Sequence, residues 1–390
     1  MKRILVLFGL SSLLAACGGA AAPSAAPASS AAAPASAAAK PSSAASGASA
    51  SAKPAASTAA SAKPAASGGT SAKPAASASA SAVAIPPAKP GTITVAWVGA
   101  SPSFAPLWIG IEQGLFDKYG APVQMVNTTA PPAMAGLLNG DVQIAIDGGA
   151  QIGADTSGQK LAFIAAQQNA FNQFAVYAKP DIKSVADLKG HTVGAATPGS
   201  AATVAFETIL KNAGLDPKTD VKWAYLGAPA AQYTALVNGN IDASISAFPY
   251  GVMAEKAGFA MIADAKNPPI PGASNVLGAS RQWLSANAKL IQGFMQALTE
   301  GAYLANTDKA KFTAAVSKWT KVNDPAQMED AWNRFAGTYP VPPYITKEAV
   351  QEAINDEPNP AVKGHKPEDY IDNAPLDAVV ASGFTKQFQK

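Results

Sequence analysis

Leu137-Leu138-Asn139-Gly140-Asp141-Val142-Gln143-Ile144-Ala145-Ile146-Asp147-Gly148-Gly149 decides how this chain folds, because it is echoed about 100 residues later. The echo is Leu236-Val237-Asn238-Gly239-Asn240-Ile241-Asp242-Ala243-Ser244-Ile245-Ser246-Ala247-Phe248. In each, an amphipathic stretch ends at Asn-Gly, where a residue with positive φ closes a helix, and an apolar strand follows. Outward from this pair the match continues. An apolar strand at 93–98 leads into Ser101-Pro102-Ser103 and a helix closing at Gly114-Leu115. Its counterpart is a strand at 192–195, then Thr197-Pro198-Gly199-Ser200 and a helix closing at Gly214-Leu215. Strands at 123–126 and 142–146 correspond to strands at 221–225 and 241–245. Repeated β-α-β-α-β units predict two α/β lobes, each with a mainly parallel sheet, and two such lobes leave a cleft.

The first ninety residues follow different rules. Residues 1–17 read as a leader, with Lys2-Arg3, an apolar run from Ile4 to Leu14, and Leu14-Ala15-Ala16-Cys17. The closing tetrapeptide resembles a bacterial lipoprotein cleavage box, which makes Cys17 the expected lipidation site. Cys17 is the only cysteine, so no internal disulfide or thiolate metal cluster can form. Residues 18–91 are almost wholly Ala, Ser, Pro, Gly and Lys, with Ser-Ala-Lys-Pro-Ala-Ala-Ser recurring from Ser51, Ser61 and Ser71. Too few large apolar groups are present to offset chain entropy, so a disordered tether with a reach on the order of 45–50 Å is expected.

Charge separates the same way. Seven basic residues and no acidic one precede residue 92, leaving 22 basic against 26 acidic groups beyond it, a net of −4. A mildly acidic folded part carries no nucleic-acid signal.

About 300 residues remain, enough for two cores. Helical spacing of apolar residues predicts helices over 288–306, 308–321 and 324–335, preceded by a short strand at 275–279. The expected lobes are 92–178 with 275–390, and 179–274, joined by hinges near 174–179 and 274–280. Catalytic patterns are scarce. His191 and His365 lie far apart, and no nucleophile elbow, phosphate loop or zinc-protease motif occurs. Gly148-Gly149-Ala150-Gln151-Ile152-Gly153 has alanine where a dinucleotide fingerprint needs its second glycine. No enzyme activity, cofactor or metal is expected.

Several loops are suited to holding a ligand. Thr197 through Ala201 follows a strand and opens a helix, giving free amides and the Ser200 hydroxyl. Ser103-Phe104 and Asp147-Gly148-Gly149 supply loops from the other lobe, and Phe248 and Tyr250 supply aromatic surface. Ordinary helix capping is the competing role for Ser103 and Ser200, and core packing for Trp108.

At these residues the chain resembles the nitrate/sulfonate/taurine and thiamine-pyrimidine family of ABC-transporter substrate-binding proteins. Ser103 through Gly120 carries the resemblance, together with Asn139 through Ile146, Ser184 through Gly194, and Asn238 through Ala243. It implies a two-lobed periplasmic-binding-protein fold of type II, with C-terminal helices. By position, the family's ligand loops fall on Ser103-Phe104, Gly148-Gly149, residues 197–201 and residues 248–250. The implied protein is an extracytoplasmic monomer, anchored through Cys17, that binds a small molecule and delivers it to a permease driven by an ATPase. Asp147, and the absence of Arg and Lys from all four loops, favour a neutral or heteroaromatic ligand, with a small anion held by amides as the competing case. Two alternatives stay open at this level: a ligand-sensing receptor subunit, and an enzyme of the thiamine-pyrimidine synthesis type. The second sits poorly with a folded part that lacks cysteine.

Overall fold

The computed structural model describes residues 91–388; the expected leader, Cys17 and all but the last residue of the expected tether lie outside them. The chain runs β1 (Ile93–Val98), α1 (Ala105–Glu112), α2 (Leu115–Lys118), β2 (Val123–Thr128), α3 (Ala130–Asn139), β3 (Ile144–Asp147), α4 (Gln151–Ala154) and β4 (Leu161–Ala170). It continues through β5 (Ala175–Ala178), β6 (Thr192–Ala195), α5 (Ala201–Asn212), β7 (Lys222–Tyr225), α6 (Pro229–Val237), β8 (Ala243–Ser246), α7 (Tyr250–Lys256), β9 (Ala260–Asp264) and β10 (Pro271–Ser280). Among the described residues seven α-helices follow: α8 (Arg281–Ala286), α9 (Ala288–Thr307), α10 (Lys309–Thr320), α11 (Pro325–Phe335), α12 (Lys347–Asp356), α13 (Pro367–Tyr370) and α14 (Ala374–Ala381).

Two five-stranded sheets result, ordered β2-β1-β3-β10-β4 and β7-β6-β8-β5-β9. Position by position they share one topology, so the echo in the sequence is an echo in the fold. The first three strands of each sheet are mutually parallel. Only the fourth strand of each, β10 or β5, runs against its neighbours. The edge strands β4 and β9, antiparallel to it in turn, point the same way as the first three, so four of five strands share one direction, as expected of mainly parallel sheets. The cause of the reversal is the connection between lobes. The edge strand β4 of the first sheet feeds β5 of the second, and the edge strand β9 of the second feeds β10 of the first.

The chain thus crosses at residues 171–174 and 265–270, a few residues before the expected hinges. β5 pairs in the second sheet although the first lobe was expected to extend to 178, and β10 pairs in the first sheet from Pro271, not from 275. At the first crossing no Gly or Pro separates residues 171–174 from β5, which hides that boundary; at the second, Pro268, Pro269 and Pro271 mark the turn, but β10 starts within it, at Pro271, and not after it. The crossings are bonded to each other: Phe171 N–H donates to Ile270 O at 2.9 Å, and Ala265 N–H to Phe174 O at 3.1 Å.

Each lobe has its own core. In the first, Val95, Trp97, Ile144 and Ile146 on the sheet meet Leu107, Trp108 and Ile109 of α1, and Phe294, Leu298 and Ala302 of α9. Helices α1 and α9 approach closely because α9 carries glycines at the contact. A Cβ on Gly301 would lie 2.2 Å from Pro106 O, and one on Gly293 the same distance from Tyr119 O. In the second, Val193 and Ile245 meet Ala205, Phe206, Ile209 and Leu210 of α5 at helical spacing. Among the described residues no helix is long and apolar enough to cross a membrane.

Polar contacts at the start of β8 fix the second sheet. Asp242 Oδ1 lies 2.6 Å from Lys179 Nζ, and its Oδ2 accepts from Thr192 N–H at 2.9 Å and lies 3.2 Å from His191 Nδ1. Partial burial acts to raise the Asp242 pKa, but Lys179, the Thr192 amide and His191 outweigh it and hold the carboxyl down at about 2. A folded-state pKa below the unfolded value contributes stability at pH values above about 4, lost as pH falls toward 2. Asp242→Asn is therefore expected to cost about 2 kcal/mol at pH 7 and little near pH 2. Urea unfolding at the two pH values measures the difference; equal losses would mean that the carboxylate's charge is not the source.

Candidate functional site

Both lobes present strand-to-helix turns toward the space between them. In the second lobe, β6 runs into Thr197-Pro198-Gly199-Ser200, where Gly199 adopts φ +73°. Ser200 caps α5: its Oγ accepts from Thr203 N–H at 3.4 Å and lies 3.0 Å from Thr203 Oγ1, which donates to Thr197 O at 2.7 Å. The first amides of α5, at Ala201 and Ala202, have no partner within the helix. In the first lobe, β3 runs into Gly148 and Gly149. Gly149 adopts φ +104°, which disfavours any side chain, and a Cβ there would lie a tight 3.3 Å from Ala353 Cβ.

The turn is held by Asp147, whose Oδ1 accepts from the amides of Gly149 at 2.7 Å and Ala150 at 3.0 Å. Burial raises its pKa to about 6 despite these two donors. Its Oδ2 is buried without a hydrogen-bond partner.

Between the turns lies a cavity of about 190 Å³. Gly148, Gly149, Ala273 and Ala353 form one wall and Gly199, Ala201 and Val204 the other, with Phe171 contributed by the crossing. Asp356, Glu357 and Pro358, at the end of α12, complete it. No Lys or Arg lines it. Phe171 is held by close packing on the start of β10, since a Cβ on Gly272 would lie 2.3 Å from its ring.

Of the residues expected from sequence, Gly148, Gly149, Gly199 and Ala201 line this cavity; the others are placed differently. Phe104 is 1 % exposed, stacked on Trp108 (centroids 5.7 Å, 24°) and edge-on to Trp97 (5.5 Å). The structure gives its ring to the core, leaving no face for a planar ligand in this conformation. Ser103 is fully buried, donating to Ser101 Oγ at 2.9 Å and accepting from Asn275 Nδ2 at 2.6 Å. Thr197 and Ser200 belong to the α5 cap, and Asp147 supports the glycine turn from beneath. Phe248 is buried among first-lobe core residues, and Tyr250 packs against Tyr233 at 5.8 Å.

Sequence reasoning missed the contribution of α12 and of the crossing. Next to Phe171, Asn172 and Gln173 are nearly buried, and Asn172 Oδ1 and Gln173 Oε1 have no hydrogen-bond partner. In β4, Gln167 Oε1 accepts from Leu107 N–H at 3.4 Å while its Nε2 is unpartnered. Buried polar atoms without partners are uncommon and call for an explanation such as a missing water or ligand. The signal was present in the sequence: Gln167-Gln168-Asn169 and Asn172-Gln173 interrupt an otherwise apolar strand and crossing.

A two-lobed α/β structure with crossed sheets and a cavity at the strand ends has the architecture of periplasmic binding proteins. The NMT1/THI5-like family model matches residues 101–310, over half of the chain, and the chain belongs to that family. Among solved structures it is similar to the aliphatic sulphonate binding protein SsuA from Escherichia coli, at 21% identity over 69% of this chain and 86% of that one, TM-score 0.57. It is likewise similar to the nitrate-binding protein NrtA from Synechocystis PCC 6803, at 15% identity over 75% and 89%, TM-score 0.58. A third is the alkanesulfonate-binding protein SsuA from Xanthomonas axonopodis pv. citri bound to MOPS, at 18% identity over 78% and 96%, TM-score 0.52. At such identities the likeness is one of fold. A search of curated proteins gave no match.

Proposed function

We propose that this chain is the lipid-anchored, extracytoplasmic solute-binding subunit of an ABC importer, taking up a small molecule between its lobes and delivering it to a permease. The observation that carries this reading is the interlobe cavity, whose walls come from Gly148, Gly149 and Ala353 on one side and Gly199, Ala201 and Val204 on the other. A ligand touching both walls stabilises the closed arrangement through contacts that an open one lacks, so binding and closure are coupled. At about 190 Å³ the cavity is smaller than the roughly 300–1,000 Å³ typical of drug-sized sites, so the occupant is small.

Wall chemistry supports a neutral or heteroaromatic ligand. Sulphonate and nitrate are the ligands of two structural neighbours, but here no basic side chain lines the cavity, and Asp356 and Glu357 do. Binding, not catalysis, accords with the histidines: His191 is engaged with Asp242 and His365 with Tyr370, and neither lines the cavity.

A thermal-shift panel of small neutral heterocycles and small anions tests the ligand class. A neutral compound at 100 times its Kd is expected to add about 2.7 kcal/mol of stability. Stabilisation by nitrate or alkanesulfonates alone would overturn the neutral assignment. The anchor has its own test. Cys17→Ala is expected to abolish labelling by a fatty-acid probe and release the protein from the membrane fraction, because two or three acyl chains are what hold it there. Equal labelling of parent and variant would remove the anchor from the account.

A further inference from the structure

Helix α11 joins the lobes along a seam separate from the cavity. Its inner side belongs to the first lobe, where Met328, Ala331 and Phe335 are buried in the core. Its other side is bonded to the second lobe over most of its length. Near its N-terminus, Asp324 pairs with Lys256 of α7 at 2.9 Å, and Gln327 Nε2 reaches Pro249 O at 3.5 Å. Near its C-terminus, Asn333 O accepts from Lys266 Nζ at 2.9 Å.

The strongest tie is Arg334. Its guanidinium donates from Nη1 to Asp264 Oδ1 at the end of β9 (2.9 Å), lies 4.0 Å through Nε from Asp330, and reaches Met261 Sδ at 3.7 Å through Nη2. The Arg334 side chain is 8 % exposed. A nearly buried charge of this kind is strongly destabilising when its partner is withdrawn, so separating the lobes here is expensive.

The α12 side is different. Asp356 of α12 is within electrostatic reach of Glu207 and Lys211 of α5, yet among the described residues no hydrogen bond or ion pair joins α12 to the second lobe. Lobe motion is therefore restrained on one side and free on the other.

We propose that the α11 seam, with Arg334 bonded to Asp264 as its central tie, is a third hinge element that keeps the lobes in contact while the mouth between α5 and α12 opens and closes. The two crossings alone are short and would allow the lobes to twist as well as swing. A continuous seam from Lys256 to Lys266 leaves swinging as the permitted motion. Arg334 is a positioning residue in this scheme and touches no ligand. The inference rests on the cleft-closing reading for its use, but its test needs no ligand, so the two can fail separately.

The test uses pulsed electron-spin distance measurements on the full chain carrying Cys17→Ser, which leaves no native thiol. One label pair spans the mouth at Lys211→Cys and Glu352→Cys, and a second spans the seam at Ala257→Cys and Ala326→Cys; all four positions are exposed. The expected result is a narrow seam distribution beside a broad mouth distribution. Arg334→Met is expected to abolish the narrow seam peak, and the exchange Arg334→Asp with Asp264→Arg to restore it. Arg334→Lys keeps the charge but loses the planar fork, and is expected to broaden the seam partially should the methionine variant fail to fold. A seam distribution as broad as that of the mouth in the parent, or one left narrow by both folded single variants, would overturn the proposal.

Discussion

Phe104→Ala is expected to lower the stability of the folded region by about 3–5 kcal/mol, the usual loss for truncating a fully buried aromatic ring. Phe104 is the first member of an aromatic stack in the first lobe. It lies on Trp108, which in turn stacks on Trp319 at 5.7 Å and 7°, while Trp97 meets all three edge-on. Alanine would leave a void beneath the N-terminus of α1, bounded by indoles already held by α10 and β1. Chemical unfolding of parent and variant measures the loss. A difference below about 1 kcal/mol would mean that the cluster repacks around the missing ring or that the ring never belonged to it.

The second large effect is expected at the cavity. Ala201 opens α5 and faces the first lobe's glycine turn, so Ala201→Trp would place an indole in the space a ligand needs. It sits at the helix start, partly exposed, at the edge of the second-lobe core, so the fold of the ligand-free variant is measured beside its affinity. Binding is expected to fall by at least about 100-fold, on the order of 3 kcal/mol, in a variant that still folds. Parent-like affinity in a well-folded Ala201→Trp variant would place the ligand elsewhere.

These two residues mark where the sequence was informative and where it was not. Strands β1 and β6 begin and end where apolar periodicity puts them, because each is a parallel interior strand between short loops. Helices α9, α10 and α11 were likewise readable, since each keeps an apolar stripe at helical spacing. Strand β4 was not. Leu161–Ala170 is buried on both faces, so it shows no alternation, and a short apolar run of that kind does not distinguish strand from helix. The pairing of β10 between β3 and β4 brings residues more than 100 positions apart into register, a fact no local pattern encodes.

The candidate site divides along the same line. Glycines 149 and 199 could be found because the turn between strand and helix needs a positive φ at each, and Gly148 because it adjoins the first of them. Ala353 and Asp356 could not, since α12 reads as an ordinary amphipathic helix and only tertiary folding brings it to the cavity. Phe104 shows the limit most clearly: a phenylalanine after a serine-rich turn has the same local sequence whether it faces a cleft or a core. Here Trp97, Trp108 and Trp319, from three separate elements, decide for the core.

The central claim is that a small molecule occupies the cavity between the glycine turn of the first lobe and the start of α5. Native mass spectrometry of the full chain carrying Cys17→Ser, purified without denaturation beside its Ala201→Trp derivative, tests it most directly. A noncovalent small-molecule adduct on the parent protein that is absent from the Ala201→Trp protein is the predicted result. An adduct of equal occupancy on both proteins, or none on a folded parent that no compound in the panel stabilises, would contradict it.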